Sequence, residues 1–311
     1  MFVKLKKNIS VKKIASFLKV AYFGKDFKVN TFSSLNNPKN NSVCFFTKIL
    51  NANYNLLDNA SYDLKRLKKY KIVVITDKIS AKNIKLPKIV TNNPRIDFQR
   101  VINNFFIDEQ FKKGIHKSAV VEKKSKIGKN VYIGANSYIG DDVVIGEGTK
   151  ILQNVVVLGK TTLGRNCRIK SNTSIGGEGF SFAYNKNKFI HFSHTGEIVI
   201  GNDVWIGSNS TIEKSTIDKT IISNDVKIDD LVHIGHNSFL GKATQVTVGS
   251  IICGRAKVGE KCWIAPNSVI DNGIIIGNNC LVGTGSLVRK NFGNNCVIVG
   301  SPAKVLRKFK K

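Results

Sequence analysis

Aliphatic residues recur every six positions along most of the chain, and this period restricts what the chain can fold into. They form three runs: Ile127, Ile133, Ile139, Ile145, Ile151, Val157, Leu163, Ile169 and Ile175; then Ile200, Ile206 and Ile212; then Ile222, Ile228, Ile234, Leu240, Val246, Ile252, Val258, Ile264, Ile270, Ile276, Val282 and Val288. A period of six fits neither an amphipathic helix nor an isolated strand. It is typical of the hexapeptide repeat of a parallel β-helix.

The repeat also predicts how the coils stack. Each hexad supplies one short strand and one corner, so three hexads close a triangular coil and residues about 18 apart lie above each other. The aliphatic residue, and the small or β-branched residue four positions later, point inward. Gly and Asn take the corners, where positive φ is often needed.

The phase of the repeat breaks twice. Between Ile175 and Ile200, residues 176–188 are predicted to form a loop ejected from the coil. This loop exposes Phe180 and neighbouring aromatic residues, which is costly unless they contact something, and insertions in solenoids often fall on the binding face. Between Ile212 and Ile222 the spacing is interpreted as slightly shortened.

The hexad is absent from roughly the first 110 residues. Ser10 is placed to cap a helix, residues 71–76 are typical of a buried strand, and residues 94–106 are expected to be helical with Phe98, Val101, Ile102 and Phe105 on one side. These elements predict a small α/β domain before a mainly β chain. The predicted organisation is an α/β domain at 1–110, a β-helix at 111–300 and a short basic tail at 301–311.

The net positive charge is compatible with several classes of anionic partner and does not identify one of them. Lys and Arg number 49 against 21 Asp and Glu, a formal net charge of +28. Nucleic acid, lipid surfaces, phosphorylated substrates and acidic proteins would all suit it, and so would a general compositional bias. No nucleic-acid module, membrane-spanning run or secretory signal is recognised, which predicts a cytoplasmic protein. The six cysteines form no CxxC pair and the histidines lack partner ligands, so no metal site is predicted.

Candidate chemistry gathers near the ejected loop. The five histidines are His116, His191, His194, His233 and His236. His236 is the third residue of its hexad, which places it at a corner, where an imidazole can act as a general base near neutral pH. An exposed corner histidine with no role is the alternative.

Stacking adds two candidates beside His236. Gly254 follows it by one coil, and the Gly254 N–H is placed to stabilise an oxyanion during acyl transfer. Asp229 lies near the same coil and is a candidate to orient the imidazole. The alternative for Asp229 is simple corner capping through an Asx-turn. The catalytic candidates are therefore His236, Gly254 and Asp229.

Three stretches carry a resemblance to a known family: residues 176–183 (GGEGFSFA), residues 206–212 (IGSNSTI) and, above all, residues 226–237 (VKIDDLVHIGHN). In the first 110 residues the matching stretch is 42–46 (SVCFF). The chain resembles the UDP-3-O-acylglucosamine N-acyltransferases of lipid A biosynthesis, which belong to the left-handed β-helix acyltransferases. The resemblance covers nearly the whole chain.

The resemblance implies a left-handed parallel β-helix, a homotrimer with active sites in grooves between neighbouring helices, and a (hydroxy)acyl chain delivered by acyl carrier protein without a further cofactor. His236 would take a proton from the glucosamine 2-amine, Gly254 would supply the oxyanion amide, and Phe45 would stack on the uracil of the UDP-sugar. The substrate-binding candidates are Phe45, Glu178, Phe180, His194 and His233. Acyl carrier protein is acidic, so the basic surface would speed its association.

Two alternatives stay open. A second family histidine would fall near Gly273, where there is none, and the family's C-terminal extension is nearly absent. Both features favour an acetyl-CoA-dependent acetyltransferase acting on another nucleotide-linked amino sugar. The third hypothesis is a catalytically silent solenoid that serves as a structural or binding protein and turns over no thioester.

Overall fold

The computed structural model describes residues 8–47, 66–107, 111 and 113–309. The chain divides into two compact units, Met1–Gln110 and Phe111–Lys311. The described strands of the first unit are β1 (Ile9–Ser10), β2 (Ala21–Phe23), β3 (Lys28–Val29), β4 (Thr31–Phe32), β5 (Ser42–Phe46), β6 (Ile72–Thr76) and β7 (Lys88–Val90). Its helices are α1 (Val11–Leu18), α2 (Lys78–Ala81) and α3 (Pro94–Val101), with a 3₁₀ turn at Arg66–Lys69 and a π-helical turn at Ile102–Phe106.

The described strands of the first unit include a five-stranded sheet of order β2-β7-β6-β5-β4, and among these pairs only β2–β7 is antiparallel. Ser10 caps α1 as predicted, because its side chain accepts a hydrogen bond from the Lys13 N–H. Strand β6 is buried along its whole length, which confirms the predicted buried strand. The predicted helix at 94–106 is also present, with Pro94 in its first turn.

The second unit consists almost entirely of short strands. Before the ejected segment they are β8 (Gly114–Ile115), β9 (Val120–Val121), β10 (Lys126–Ile127), β11 (Tyr132–Ile133), β12 (Tyr138–Ile139), β13 (Val144–Ile145), β14 (Lys150–Ile151), β15 (Val156–Val157), β16 (Thr161–Leu163), β17 (Arg168–Ile169) and β18 (Ser174–Gly177). The ejected segment carries β19 (Phe182–Asn185) and β20 (Lys188–His191).

After the ejected segment the strands are β21 (Glu197–Ile200), β22 (Trp205–Ile206), β23 (Thr211–Glu213), β24 (Lys219–Ile222), β25 (Lys227–Ile228), β26 (His233–Ile234), β27 (Phe239–Leu240), β28 (Gln245–Val246), β29 (Ile251–Ile252), β30 (Lys257–Val258), β31 (Trp263–Ile264), β32 (Val269–Ile270), β33 (Ile275–Ile276), β34 (Leu281–Val282), β35 (Leu287–Val288), β36 (Cys296–Gly300) and β37 (Ala303–Lys308).

Successive strands join three different sheets, of eleven, nine and eight strands, in rotation. In regular coils the parallel partners lie 18 residues apart, as in Ile133 with Ile151 and Ile252 with Ile270. This confirms the parallel β-helix. The inward aliphatic positions are buried and form one continuous core, and each such side chain stabilises the coil by about 1.5–3 kcal/mol relative to exposure.

The small inward positions satisfy the backbone between coils. The Thr244 hydroxyl donates to the Gly259 carbonyl and accepts from the Cys262 N–H one coil later. Asn residues hold many of the corners in left-handed backbone, as predicted; Asn136 and Asn237 are examples. The repeat therefore provides both the apolar interior and the hydrogen bonds of the turns.

The two phase breaks lengthen the coil by different amounts. Leu163 pairs with Ile200, 37 residues later, because the ejected segment intervenes. The ejected segment forms an antiparallel hairpin of β19 and β20, which is closed by Lys186 and Asn187, both at positive φ. The predicted shortening between Ile212 and Ile222 is wrong. Thr211 pairs with His233 at a spacing of 22, so this coil is four residues longer than a regular one, with the extra residues at its corner.

Candidate active site

His236 stands at the corner between two sheets of the β-helix. It follows β26 in the nine-stranded sheet and precedes β27 in the eight-stranded sheet. Its side chain is mostly buried, with 9% of the residue exposed. Its backbone N–H donates to Glu213 Oε2 at 3.2 Å and its carbonyl accepts from the Arg255 N–H. The corner backbone is therefore fixed on both sides.

Asn237 determines which nitrogen of His236 carries the proton. The Asn237 Oδ1 lies 2.9 Å from His236 Nδ1, and it also accepts from the backbone N–H and the hydroxyl of Thr216. The Asn237 amide nitrogen donates to Ser215 Oγ, which fixes the orientation of the amide. Because Oδ1 can only accept, Nδ1 of a neutral His236 must donate. Nε2 is therefore the unprotonated, basic nitrogen.

Gly254 faces this basic nitrogen. A Cβ atom on Gly254 would lie only 2.7 Å from His236 Nε2, so the space beside Nε2 exists because residue 254 has no side chain. Among the described residues, the Gly254 N–H makes no hydrogen bond, whereas its carbonyl accepts from the Gly273 N–H. A free amide next to a basic imidazole suits a reaction in which an oxyanion forms.

Both ends of the ejected hairpin converge on His236. A Cβ on Gly179, before β19, would lie 2.8 Å from Glu213 Oε2, 2.9 Å from His194 Nε2 and 3.0 Å from His236 Cδ2. His194, after β20, packs edge-to-face against His236 with ring centroids 5.3 Å apart. Burial, and then the neighbouring His236, lower the pKa of His194 below its ordinary value.

Carboxylates surround this group of imidazoles. Glu178 Oε2 lies 3.5 Å from His191 Nδ1, and its other oxygen lies 3.6 Å from Lys214 Nζ. Glu213 Oε1 lies 3.9 Å from His233 Nε2. The predicted candidates Glu178, His194 and His233 are thus gathered around His236 by the hairpin and by β26.

An apolar cavity opens beside His236. It measures about 480 Å³ and is lined by Phe180, Ser181, Phe182, Phe189, His236, Arg255 and Asn272. Three of its lining residues are aromatic: Phe182 and Phe189 belong to the hairpin, and Phe180 precedes it. These three side chains border the space in front of the imidazole and remain exposed. Arg255 adds a positive charge at the same cavity.

The expectation that Asp229 orients His236 is not met within one chain. Asp229 follows β25, at the corner between the eleven- and nine-stranded sheets, whereas His236 lies at the next corner. Its Oδ1 accepts from the Asp230 N–H, so the carboxylate caps its own turn. The orienting group is Asn237. One corner of the triangle separates the two residues because each hexad turns the chain to a new face.

Phe45 lies in the first unit and is described by its own contacts. It is half-buried on β5 and its ring packs against Phe98 of α3, with centroids 4.9 Å apart.

Sequence reasoning did not single out Asn237, Glu213, Gly179 or Arg255 as site residues. Asn237 had a signal, since it directly follows the candidate base in the stretch 226–237. Arg255 also had a signal, since it directly follows Gly254 in a regular coil. Gly179 and Glu213 depend on where the insertions place their segments.

The described residues show neither a membrane-crossing helix nor a metal centre. None of their helices has the length and apolar character needed to cross a bilayer. No three or more His, Cys, Asp or Glu side chains among them are arranged to hold a metal ion. Cys167, Cys262 and Cys280 instead occupy buried inward positions of the repeat.

Comparison with known proteins defines the class first. The bacterial transferase hexapeptide family (six repeats) matches residues 142–177 and 255–290. Two solved structures share the fold. UDP-N-acetylglucosamine acyltransferase from Francisella novicida has a TM-score of 0.58 at 26% identity, over 63% of this chain and 70% of that one. LpxA from Acinetobacter baumannii has a TM-score of 0.59 at 25% identity, over 62% and 74%. The chain has the fold of the hexapeptide-repeat transferases.

Sequence relatives define the family. A UDP-3-O-acylglucosamine N-acyltransferase from Herminiimonas arsenicoxydans is 33% identical over 235 residues, covering 69% of this chain and 67% of the relative. UDP-3-O-acylglucosamine N-acyltransferase 1 from Francisella tularensis is 36% identical over 192 residues, 55% of this chain and 54% of the relative. The chain belongs to the UDP-3-O-acylglucosamine N-acyltransferase family. It spans about half the length of the Francisella tularensis relatives that it matches.

Proposed function

We propose that this chain is an N-acyltransferase that transfers a (hydroxy)acyl chain from acyl carrier protein to the 2-amino group of a UDP-3-O-acylglucosamine in lipid A biosynthesis. The observation that carries the proposal is the arrangement of His236, whose unprotonated Nε2 faces the side-chain-free Gly254. The Gly254 N–H makes no hydrogen bond with any described residue. Family membership supplies the substrate class.

The geometry supports a specific role for each group. The sugar amine attacks the thioester carbonyl, forming the C–N bond, while His236 Nε2 takes the proton that the amine loses. The carbonyl oxygen becomes an oxyanion and accepts a hydrogen bond from the Gly254 N–H. When the tetrahedral intermediate collapses, the C–S bond breaks and the thiolate leaves. The proton on His236 then passes to the thiolate or to solvent, which restores the base.

The surroundings of His236 suit the other parts of the substrates. The aromatic cavity of about 480 Å³ provides an apolar site for an acyl chain. Arg255 at the same cavity is suited to a phosphate of the nucleotide or of the carrier's prosthetic arm. In the first unit, half-buried Phe45 presents an aromatic ring on which uracil would stack.

The partners follow from the same proposal. Acyl carrier protein is acidic and the chain carries a net charge of +28, so opposite charges would favour their encounter. A homotrimer, with neighbouring helices completing each groove, belongs to the proposal through the resemblance described above. The cytoplasmic location expected from the sequence is part of the proposal as well. The reaction as written needs no cofactor beyond the thioester.

The test is a reconstitution with matched variants. Purified protein is incubated with UDP-3-O-acylglucosamine and hydroxyacyl carrier protein, and the amide product is measured by mass spectrometry. The unmodified protein is expected to form the amide, and His236→Ala is expected to lose about 100-fold or more in rate, because the base is removed. His116→Gln, which changes an exposed histidine, is the control. No amide product, or full activity in His236→Ala, would refute the proposal.

The same assay separates the two possible donors. A carrier-protein thioester and acetyl-CoA are offered in parallel to the same acceptor. We expect the long-chain carrier thioester to be used, since an acetyl group would leave the aromatic cavity unfilled. Turnover with acetyl-CoA alone would establish the alternative acetyltransferase instead.

A further inference from the structure

The hairpin of β19 and β20 has little to hold it in place along its length. Every residue of both strands is exposed, and an isolated two-stranded hairpin is at best marginally stable in water. Yet this hairpin supplies Phe182 and Phe189, with Phe180 just before it, to the cavity at His236. The shape of that cavity therefore depends on what fastens the base of the hairpin.

Two contacts fasten that base directly at the imidazole. Gly179 enters the hairpin against His236, Glu213 and His194, close enough that no side chain would fit. His194 leaves the hairpin with its ring packed edge-to-face on His236 and stacked on His191, whose ring centroid lies 5.8 Å away. Glu178 and Lys214 also form a salt bridge, with 3.6 Å between Oε1 and Nζ. Glu178 is half-exposed, so this salt bridge contributes little to holding the hairpin.

His194 is buried in an unusual state for a histidine. Only 2% of it is exposed, and neither ring nitrogen has a hydrogen-bond partner among the described residues. An unsatisfied buried polar group costs about 1–3 kcal/mol, and an unpaired buried charge costs more. The docked hairpin is therefore compatible with a neutral His194 and disfavours a charged one.

The charged groups around His194 act in opposite directions. Burial and His236 disfavour protonation of His194, whereas the Phe192 backbone, Glu178 and Glu213 favour it. Burial and His236 outweigh these three groups, so the pKa of His194 is lowered. Lys214 pairs with Glu178, His233 faces Glu213, His191 stacks on the ring, and Arg255 lines the cavity. The two carboxylates do not reverse the preference for the neutral ring.

We propose that His194 is a positioning residue for His236: its uncharged ring fastens the hairpin to the imidazole, and protonation of His194 releases the hairpin and opens the aromatic cavity. The release of the hairpin is inferred from the contacts of the hairpin itself. Its consequence for acyl transfer rests on the function proposed above.

The pH dependence has a definite sign. The docked hairpin lowers the pKa of His194 below the ordinary value near 6.5, so the docked state binds fewer protons than the released one. Docking is fully favoured above the ordinary value and weakens as the pH falls toward the lowered one. In that window the fraction of released hairpin grows by up to about tenfold for each pH unit.

Hydrogen–deuterium exchange of residues 180–192 measures the release without any substrate. Exchange is followed at pH 7.5 and pH 5.5 and corrected for the intrinsic pH dependence of amide exchange. We expect protection of the hairpin to fall, by at most about tenfold, in the unmodified protein. In His194→Gln, which stays neutral, we expect protection to be independent of pH, and His116→Gln should behave like the unmodified protein.

The inference is overturned if protection of the hairpin is the same at both pH values. It is also overturned if protection falls equally in His194→Gln and in the unmodified protein. If His194→Gln leaves the hairpin unprotected throughout, the decision comes from NMR titration of the unmodified protein. There the His194 ring must titrate below the exposed His116 ring, and an equal or higher pKa overturns the inference. In turnover assays, we expect the KM of the unmodified protein to rise on acidification. We expect no such rise in His194→Gln. Absence of turnover would refute the proposed function and leave the exchange result standing.

Discussion

Two stretches of the β-helix follow the same hexad and differ in what interrupts it. From Leu240 to Val288 parallel partners keep a spacing of 18, and the inward positions form a closed apolar core. In the coils that span residues 163–234 the spacing grows to 37 and then to 22. The polar cluster around His236 is placed by those two departures. Regular stacking packs the inward side chains into a core, whereas the interrupted coils place the hairpin beside His236, where its aromatic side chains help to line the cavity.

The largest expected effect concerns the regular stretch. Ile264 is fully buried, so Ile264→Ala should lower the free energy of unfolding by about 2–5 kcal/mol through lost burial and a cavity. Denaturant unfolding measures this, and the rate per folded molecule should stay unchanged. If the variant kept full stability but lost activity, the division between the two stretches would be wrong.

A smaller effect is expected where the two stretches meet. In Gly254→Ala the new Cβ would occupy the space 2.7 Å from His236 Nε2, and a displacement of about 1 Å at a reacting group can cost about 100-fold in rate. Steady-state kinetics and thermal unfolding are measured together. Gly293→Ala is the matched control, because a Cβ there meets nothing within 4 Å. Equal losses in both glycine variants would argue against a special role for residue 254.

The smallest expected effect concerns the hydrogen bonds of Asp230, which link the interrupted coils. Asp230 Oδ1 accepts from Lys170 Nζ and from the Ser208 N–H, which links three successive coils. Burial raises the pKa of Asp230, but these two donors outweigh it and hold the pKa below its ordinary value. Asp230→Asn should therefore cost under about 1 kcal/mol at pH 7.

The contribution of Asp230 should also depend on pH. Because its pKa is lowered in the folded state, the stabilisation is present above the ordinary carboxyl pKa and is lost as the pH falls through the folded value. Unfolding curves of both proteins should therefore converge in acid. A difference that persisted unchanged to pH 2 would show that the ion pair is not its cause.

The sequence determines the regular coils because one local rule repeats. Each Ile or Val of the hexad must point inward, and the three-hexad coil then fixes which residues stack, so Ile252 over Ile234 follows from counting. The first unit offered no such rule. Its capped helix and buried strand β6 were predictable locally, whereas the pairing order of its sheet depends on contacts between distant segments.

The site was predictable to the same extent. His236 and Gly254 are separated by one regular coil, so their proximity followed from the spacing of 18. Gly179 and His194 reach His236 only through an insertion whose path no periodicity describes. The wrong reading of the interval after Ile212 has the same origin, since a count of residues does not show whether an irregular corner has gained or lost some. Asp229 shows that closeness in sequence does not imply the same edge of the prism.

The last strand of the chain has a consequence for assembly. β37 turns back antiparallel along β36 and forms the outer edge of the eleven-stranded sheet. Its exposed Lys304, Arg307 and Lys308 put like charges on that edge. An antiparallel strand with charged side chains is a poor template for further parallel pairing, so β37 protects this edge of the sheet.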